Sequence, residues 1–380
     1  MNAKTIKGNS TAEIQSALQQ IKAGDFKATL AIVFISVKQN REEVCELLNA
    51  AGISIFGSTT SGEFISPEIT EGGISIMLLD MHPSCFKIVF RETHESNAFE
   101  VSKQVGIEGR QLFSSAAFII ASGWLHTDGE QIVAGIEAGI GHNATVFGGM
   151  AGDDLALREP FVFTYGKSST TGLVALIINE DKISIKGVAA CGWKPIGITK
   201  TVTKSIGNVV YTIDGQPALD LVIKYLGLTM DQESTASSTV VNLGAYYPLQ
   251  LERENAPPVM RTAMLGNVED RSLICAGNVP QGAKVRFSLP PDFDVIDTVV
   301  EECIELKNET EADAVIVFSC ISRYLSFGVM TSEEIERVQR VWNAPMVGFF
   351  SYGEFGKSKN GKHEFHNNTC CVVAINEKRI

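Results

Sequence analysis

A chain of 380 residues is too long for one ordinary hydrophobic core and points to two domains. Its 44% hydrophobic and 20% charged residues are the balance of a folded globular protein, not of a disordered or fibrous one. A formal net charge of −12, with no run of Lys or Arg, argues against a nucleic-acid partner, because such a surface needs a basic stripe to displace counterions. The opening MNAKTIKGNSTAEIQSALQQ is polar with scattered charges and lacks the apolar segment of a secretory signal. The longest apolar runs have strand length, so no membrane span is expected. The eight cysteines form no CxxC pair, and several lie inside apolar runs. They read as reduced, buried thiols of a cytoplasmic protein.

In chain order, LAIVFIS (30–36) is a short β-rich run. In REEVCELLNAAG, Val44, Leu47, Leu48 and Ala51 recur at the helical period, and Gly52 stops the helix. ISIFG then enters the glycine-rich GSTTSGEF (57–64), and GGISIMLLD is another strand. The same order returns in the middle of the chain. AAFIIASG (116–123) is a strand, and Ile132, Ile136 and Ile140 mark a helix. ATVFGGMAGDD ends on Gly152 and Asp153, and TGLVALIIN (171–179) closes the unit. A third copy runs from ADAVIVFSC (312–320) through a helix with Ile335, Val338, Val341 and Trp342 inward. PMVGFFSYGEF and TCCVVAIN complete it. Each unit is strand, helix, strand, Gly-acid loop, strand. A helical crossover implies parallel neighbouring strands, and the last strand, reached by a loop, is placed to pair antiparallel. The expected fold is α/β, with mixed sheets and helices on the outer faces.

Between the second and third copies the character changes. VVYTIDGQPALDLVIKYLG (209–227) reads as a strand, an Asp-Gly turn and a helix opened by Gln-Pro. DQESTASS (231–238) is a polar loop. STVVNLGAYYPL, PVMRTAML, RSLICAGN and AKVRFSL read as an antiparallel meander, and PPDFDVIDTVVEECIELKNE as a helix. The expected domains are 1–205, holding two units, and 206–380, holding the meander and the third unit.

Familiar catalytic signatures are missing. There is no GxxxxGK[ST] phosphate loop. GFFSYG sets its first glycine one residue too far from Ser351 for a nucleophile elbow. HEFH (363–366) spaces its histidines to opposite faces of a strand, which is unsuited to a metal pair. The Gly-acid loops offer more. Gly57, Gly62, Gly152, Gly348 and Gly353 permit close approach or a left-handed turn, and loops after parallel strands are where α/β proteins place their sites. Glu63 and Asp153 read as carboxylates that cap local N–H groups and fix the turns. Glu354 admits that reading and a functional one equally, because it has company. Tyr247, Arg261, Arg323, Tyr352, His366 and Asn368 cluster in the same half of the sequence. A guanidinium fork with directional Tyr, Asn and His hydrogen bonds suits a small polar ligand such as an amino acid or organic acid. The alternative use of Glu354 is as general base of a hydrolase-type enzyme.

These residues carry a resemblance. The chain resembles FIST proteins, which pair a FIST N and a FIST C domain. The similarity runs through SIFGSTTSGEF, VFGGMAGDD and IDGQPALDLVIKYLG in the N-terminal part. In the C-terminal part it runs through YYPL, VMRTAM, VGFFSYGEF and HNNTCCVVA. It spans about residues 28 to 376. The resemblance implies a non-catalytic sensory module that binds a small molecule and informs a partner sensor kinase or cyclase. Some members of the family are haem proteins that sense nitric oxide. Their histidine before the Pro-Leu motif is replaced here by Tyr247, and their glutamine before the threonine of the closing motif by Asn368. His366 is then the candidate axial ligand, and tyrosine is also known to ligate haem iron. No cofactor is expected on this reading, with haem as the alternative.

Overall fold

The structure is a computed structural model describing residues 1–65, 67–92, 97–123, 128–141, 143–225, 244–254, 256–289 and 291–378. The expected polar loop 231–238 and the start of the strand-like stretch at 238 lie outside the described residues.

The repeated unit is larger than its sequence signature. The first runs strand Ala3–Gly8, helix Thr11–Lys22, strand Leu30–Ile35, helix Arg41–Ala50 and strand Ser54–Thr59. A hairpin, Glu63–Ile65 and Glu68–Thr70, and the closing strand Ile74–Leu79 follow. The second repeats this from Phe86–Glu92 through helices Ala98–Leu112 and Glu130–Ile140 to Gly172–Asn179. The third begins at Ile183–Ala190 and resumes with helix Asp294–Lys307. It continues through Ala314–Cys320, helix Thr331–Trp342 and Met346–Ser351, and ends at Cys370–Glu377. The first strand and helix of units one and two carry weaker apolar patterning than the central strands, which is why composition alone passes over them.

Each unit nucleates a six-stranded sheet. Its two central strands are parallel, as the helical crossover requires: Leu30 faces Ser54, Ala117 faces Thr145 and Val315 faces Met346. The closing strand pairs antiparallel beside them in all three units. The hairpins, however, are exchanged. The hairpin of unit one pairs with Met346–Ser351 of unit three, that of unit three with Thr145–Met150 of unit two, and that of unit two with Ser54–Thr59 of unit one.

The glycines seat this exchange. An added Cβ at Gly348 would lie 2.4 Å from the Phe64 ring, and one at Gly57 would lie 2.1 Å from the Phe163 ring. Each phenylalanine comes from the hairpin of another unit and packs against a glycine where any side chain would push it off.

The central strands are buried on both faces, which explains their continuous apolar runs. Leu30, Ile32 and Phe34 share one core with Ala117, Ile119 and Ala121 and with Ala314, Ile316 and Phe318. The alternate residues Ala31, Val33 and Ile35 face helices Thr11–Lys22 and Arg41–Ala50. Three sheets therefore meet face inward around Phe34, Phe318 and Phe349, whose ring centroids lie 4.6 to 6.0 Å apart. The helices cover the outer faces.

Residues 194–289 interrupt unit three between its first strand and first helix. They form an eight-stranded sheet that includes Pro195–Ile206, Val209–Ile213, Leu249–Leu251, Val259–Arg261, Leu273–Cys275 and Lys284–Ser288. Its pairings are antiparallel. It has its own core around Val210, Leu219, Leu273 and Val285. Residue 205 falls inside strand Pro195–Ile206. The strand pairing thus groups the third unit with the first two and sets the intervening sheet apart.

Candidate functional site

The three Gly-acid loops meet at the carboxyl ends of the parallel strands. Ser61 N–H donates to Phe350 O (3.2 Å) and Phe350 N–H to Gly62 O (2.8 Å). Tyr352 N–H donates to Met150 O (3.2 Å) and Met150 N–H to Gly353 O (2.8 Å). Gly152 N–H donates to Thr59 O (2.9 Å), which closes the ring of units.

Glu63 and Glu354 are wired alike. The Thr60 hydroxyl donates to Glu63 Oε2 at 2.7 Å and Gly73 N–H to Oε1 at 2.6 Å. The Ser351 hydroxyl donates to Glu354 Oε1 at 2.7 Å. Thr369 gives its hydroxyl (2.8 Å) and N–H (3.3 Å) to Oε2. Each carboxyl ties its loop to the residue that opens the closing strand. Burial raises both, Glu63 to about 7 and Glu354 to about 8, against the lowering effect of these donors. With both Glu354 oxygens so occupied, the general-base reading has no geometric support.

Asp153 is wired differently. It accepts the N–H groups of Leu157 (2.9 Å), Arg158 (2.7 Å) and Glu159 (2.9 Å). It also accepts the Tyr352 hydroxyl of unit three at 2.5 Å. That hydroxyl in turn accepts Leu155 N–H at 3.1 Å. Burial and the Asp153 carboxylate push the Tyr352 phenol well above its ordinary range. In this loop Asp154, Leu155 and Leu157 have φ of 53°, 66° and 53°. A left-handed leucine is costly, and two within three residues mark stored strain.

Above this loop lies a cleft of about 330 Å3. Met150, Leu157 and Tyr352 line it from the three-unit body, and Asn208, Met264 and Ile274 from the intervening sheet. Its size falls in the range of small-molecule sites, roughly 300–1,000 Å3.

The structure gathers most of the other candidate residues into a bonded wall. The Arg261 fork is closed by Glu130 (2.6 Å), Asn278 O (2.9 Å), Met260 O (3.0 Å) and Phe365 O (3.2 Å). Arg323 is fully buried and bidentate on Glu334, with Nη1 on Cys191 O (2.8 Å) and Asn368 O (2.9 Å). Neither guanidinium is left for a ligand carboxylate. Asn368 sits at φ 58°, one residue before Thr369, as Gly72 sits at φ 83° before Gly73. Its amide accepts from the Thr262 hydroxyl (2.6 Å) and donates to Ala245 O (3.0 Å). Tyr247 is half-buried beside Tyr246, with centroids 6.3 Å apart.

His366 pairs across the hairpin with Glu354 and lines a separate cavity of about 190 Å3. Its Nε2 lies 3.2 Å from Gly356 O, and burial lowers the ring to about 4. As an axial ligand it would have to give up the Gly356 carbonyl and open a ring that is only 2% exposed, so these residues as arranged do not fit haem. Tyr352 is the one sequence-derived candidate in the larger cleft. Leu157, Asn208, Met264 and Ile274 were missed, and the available signal was the middle loop, whose spacing departs from the other two.

The molecule thus combines three exchanged α/β units, an intervening antiparallel sheet and a cleft of about 330 Å3 between them. The chain belongs to the FIST family: the FIST N domain model matches residues 29–216 and the FIST C domain model residues 218–357. FIST domains are sensory modules of signal transduction. The chain is also similar to the uncharacterized protein MJ1623 of Methanocaldococcus jannaschii, at 24% identity over 94% of this chain and 75% of that protein. No helix among the described residues is long and apolar enough to cross a membrane.

Proposed function

We propose that the protein is a non-catalytic sensor whose ligand enters the cleft between the three-unit body and the intervening sheet. The observation that carries this reading is the cleft itself, lined from both sides and floored by the strained Asp153 loop. A ligand there contacts both parts of the molecule, so it favours the relative arrangement that fits it best. It acts only through that difference in affinity. A partner sensor kinase or cyclase reads the arrangement.

The lining narrows the ligand class. With Arg261 and Arg323 closed, an amino acid or organic acid gains little from its charged end. Met150, Met264, Leu157 and Ile274 favour an apolar side chain, and methionines adapt to its shape. Asn208 and the Tyr352 ring edge supply the polar contact.

A thermal-shift screen of apolar amino acids and short organic acids tests this. A ligand at 100 times its Kd adds about 2.7 kcal/mol of stability. Met264→Trp, which fills the cleft, is expected to abolish the shift, and an undiminished shift in that variant would place the ligand elsewhere.

A further inference from the structure

A second cavity lies at the other end of strand Thr145–Met150. Met150 borders the cleft, while Thr145 and Phe147 border this second space, roughly 10–17 Å back along the extended strand. It measures about 380 Å3, and its wall is polar: Lys186, Lys357, Lys359, Glu302, Glu305 and His363 line it. The 190 Å3 cavity that reaches His366 shares Glu302, Ser358 and Lys359 with it. The two spaces therefore adjoin, with Glu302 at the junction.

Glu302 projects from helix Asp294–Lys307. Its Oε2 is shielded from solvent and has no hydrogen-bond partner. Elsewhere in this protein buried carboxylates are met: Glu334 by Arg323, Glu63 and Glu354 by hydroxyl and N–H donors. A carboxylate oxygen only accepts, and leaving one unmet in a buried place is costly. The torsion that orients a Glu carboxylate is soft, so the oxygen can turn into either cavity.

The neighbours do not supply the missing donor. The Lys359 ammonium is held by Glu305 at 2.6 Å. Burial keeps His363 and His366 neutral, each near 4. Cys191 is a thiol whose burial pushes it up to about 11. Lys186, Lys357 and Glu309 complete the outer wall. No group of three acidic, His or Cys side chains that could hold a metal ion occurs among the described residues, so an inorganic cation is not what the site is built for.

We propose that the adjoining cavities form a second ligand site, for a small molecule that presents a primary ammonium group to Glu302. This site stands apart from the apolar cleft and does not depend on it. Burial raises the Glu302 carboxyl to about 7, with Lys359 lowering and Glu305 raising it. Below that pH the carboxyl carries a proton. Binding RNH3+ forms the ion pair and expels this proton to solvent, so one H+ is released per ligand bound. Affinity then rises about tenfold per pH unit up to about 7 and levels off above it.

The test is calorimetry and thermal shift with propylamine, putrescine and β-alanine, and with propionate as the anionic control. Stabilisation by the amines and not by propionate is expected, with proton release seen as a dependence on buffer ionisation heat at pH 6. Propylamine and putrescine probe the ammonium alone. Stronger binding of β-alanine would show that Lys186 or Lys357 also receives an anionic end. Glu302→Gln is expected to weaken binding at least about tenfold and to remove its pH dependence. Ser358→Trp, which blocks the junction, is expected to abolish binding without touching the carboxylate. Equal binding by Glu302→Gln or by Ser358→Trp, or no stabilisation by any amine, overturns the proposal.

Discussion

In the first loop the Thr60 hydroxyl and Gly73 N–H hold Glu63; in the third, the Ser351 hydroxyl and Thr369 N–H hold Glu354. The second loop abandons that scheme. Asp153 gathers the N–H groups of residues 157–159 instead, borrows Tyr352 from unit three, and forces Leu155 and Leu157 into left-handed backbone. The first and third loops repeat because each must pin a hairpin that leaves its own unit for another sheet. The middle loop serves that end at greater conformational cost, and it alone places residues in the cleft from both its start and its turn, Met150 and Leu157. Repetition in this protein marks scaffold, and departure from the repeat marks the place where a ligand is expected.

The scaffold side of this contrast is open to the harshest tests. Gly348→Ala sets a methyl 2.4 Å from the Phe64 ring and 2.5 Å from Val317 O; Gly57→Ala sets one 2.1 Å from the Phe163 ring. Each is expected to cost about 3 kcal/mol in urea unfolding, because the clash involves a packed ring and, at Gly348, fixed backbone. A cost under about 1 kcal/mol at either would mean that the exchanged hairpins are not seated as described. Next come Glu63→Ala and Glu354→Ala, which strand buried donors and are expected to cost about 1–3 kcal/mol each, by similar amounts. If Glu354→Ala left stability unchanged and instead removed the ligand response, Glu354 would belong to a site and not to the scaffold.

Much of the scaffold was legible in the sequence. Continuous apolar runs such as LAIVFI and AVIVFS announce strands buried on both faces, and the glycines and acids after them announce shared turns. The exchange of hairpins was not legible. Glu63-Phe64 and Glu354-Phe355 carry no mark of which sheet receives them, since pairing partners lie hundreds of residues away. The arginines misled for a related reason. Arg261 and Arg323 look like ligand forks in sequence, but Glu130 and Glu334, which close them, are visible as partners only in three dimensions. The cleft drew little notice because its lining is ordinary: Met264 and Ile274 look like any strand residue until the intervening sheet is laid against the body.

Acidity separates the scaffold carboxylates further. Glu354 rises from 4.5 to about 8 on folding and Glu63 to about 7. A raised carboxyl binds its proton more tightly in the folded state, so its contribution is fully present below pH 4.5 and is lost as pH rises through the folded value. His363 and His366, lowered from 6.5 to about 4, act in the opposite direction between those values. Glu302, also raised to about 7, joins Glu63 at the lower end. Between pH 7 and 8 Glu354 is left as the main contributor among these groups, at up to about 1.4 kcal/mol per pH unit. Glu354→Gln is expected to flatten that fall in unfolding free energy, and Glu63→Gln to leave it in place. Equal slopes in the two variants would contradict the assignment.

The smallest expected effect tests the departing loop. Leu155 is 40% exposed at φ 66°, whereas Leu157 at φ 53° lines the cleft. Glycine adopts that backbone freely but adds freedom to the unfolded chain, so Leu155→Gly trades a strain of about 1–2 kcal/mol against an entropy cost of somewhat under 1. The expected net is a gain of roughly half a kcal/mol, read by urea unfolding. The cleft lining is untouched, so any change in ligand-induced shift would come from the released strain alone. A loss of more than about 1 kcal/mol would show that the Leu155 side chain holds the loop as firmly as Thr60 and Ser351 hold the other two. The left-handed turn would then be scaffold as well, and the contrast between the loops would fall to the Tyr352–Asp153 bond by itself.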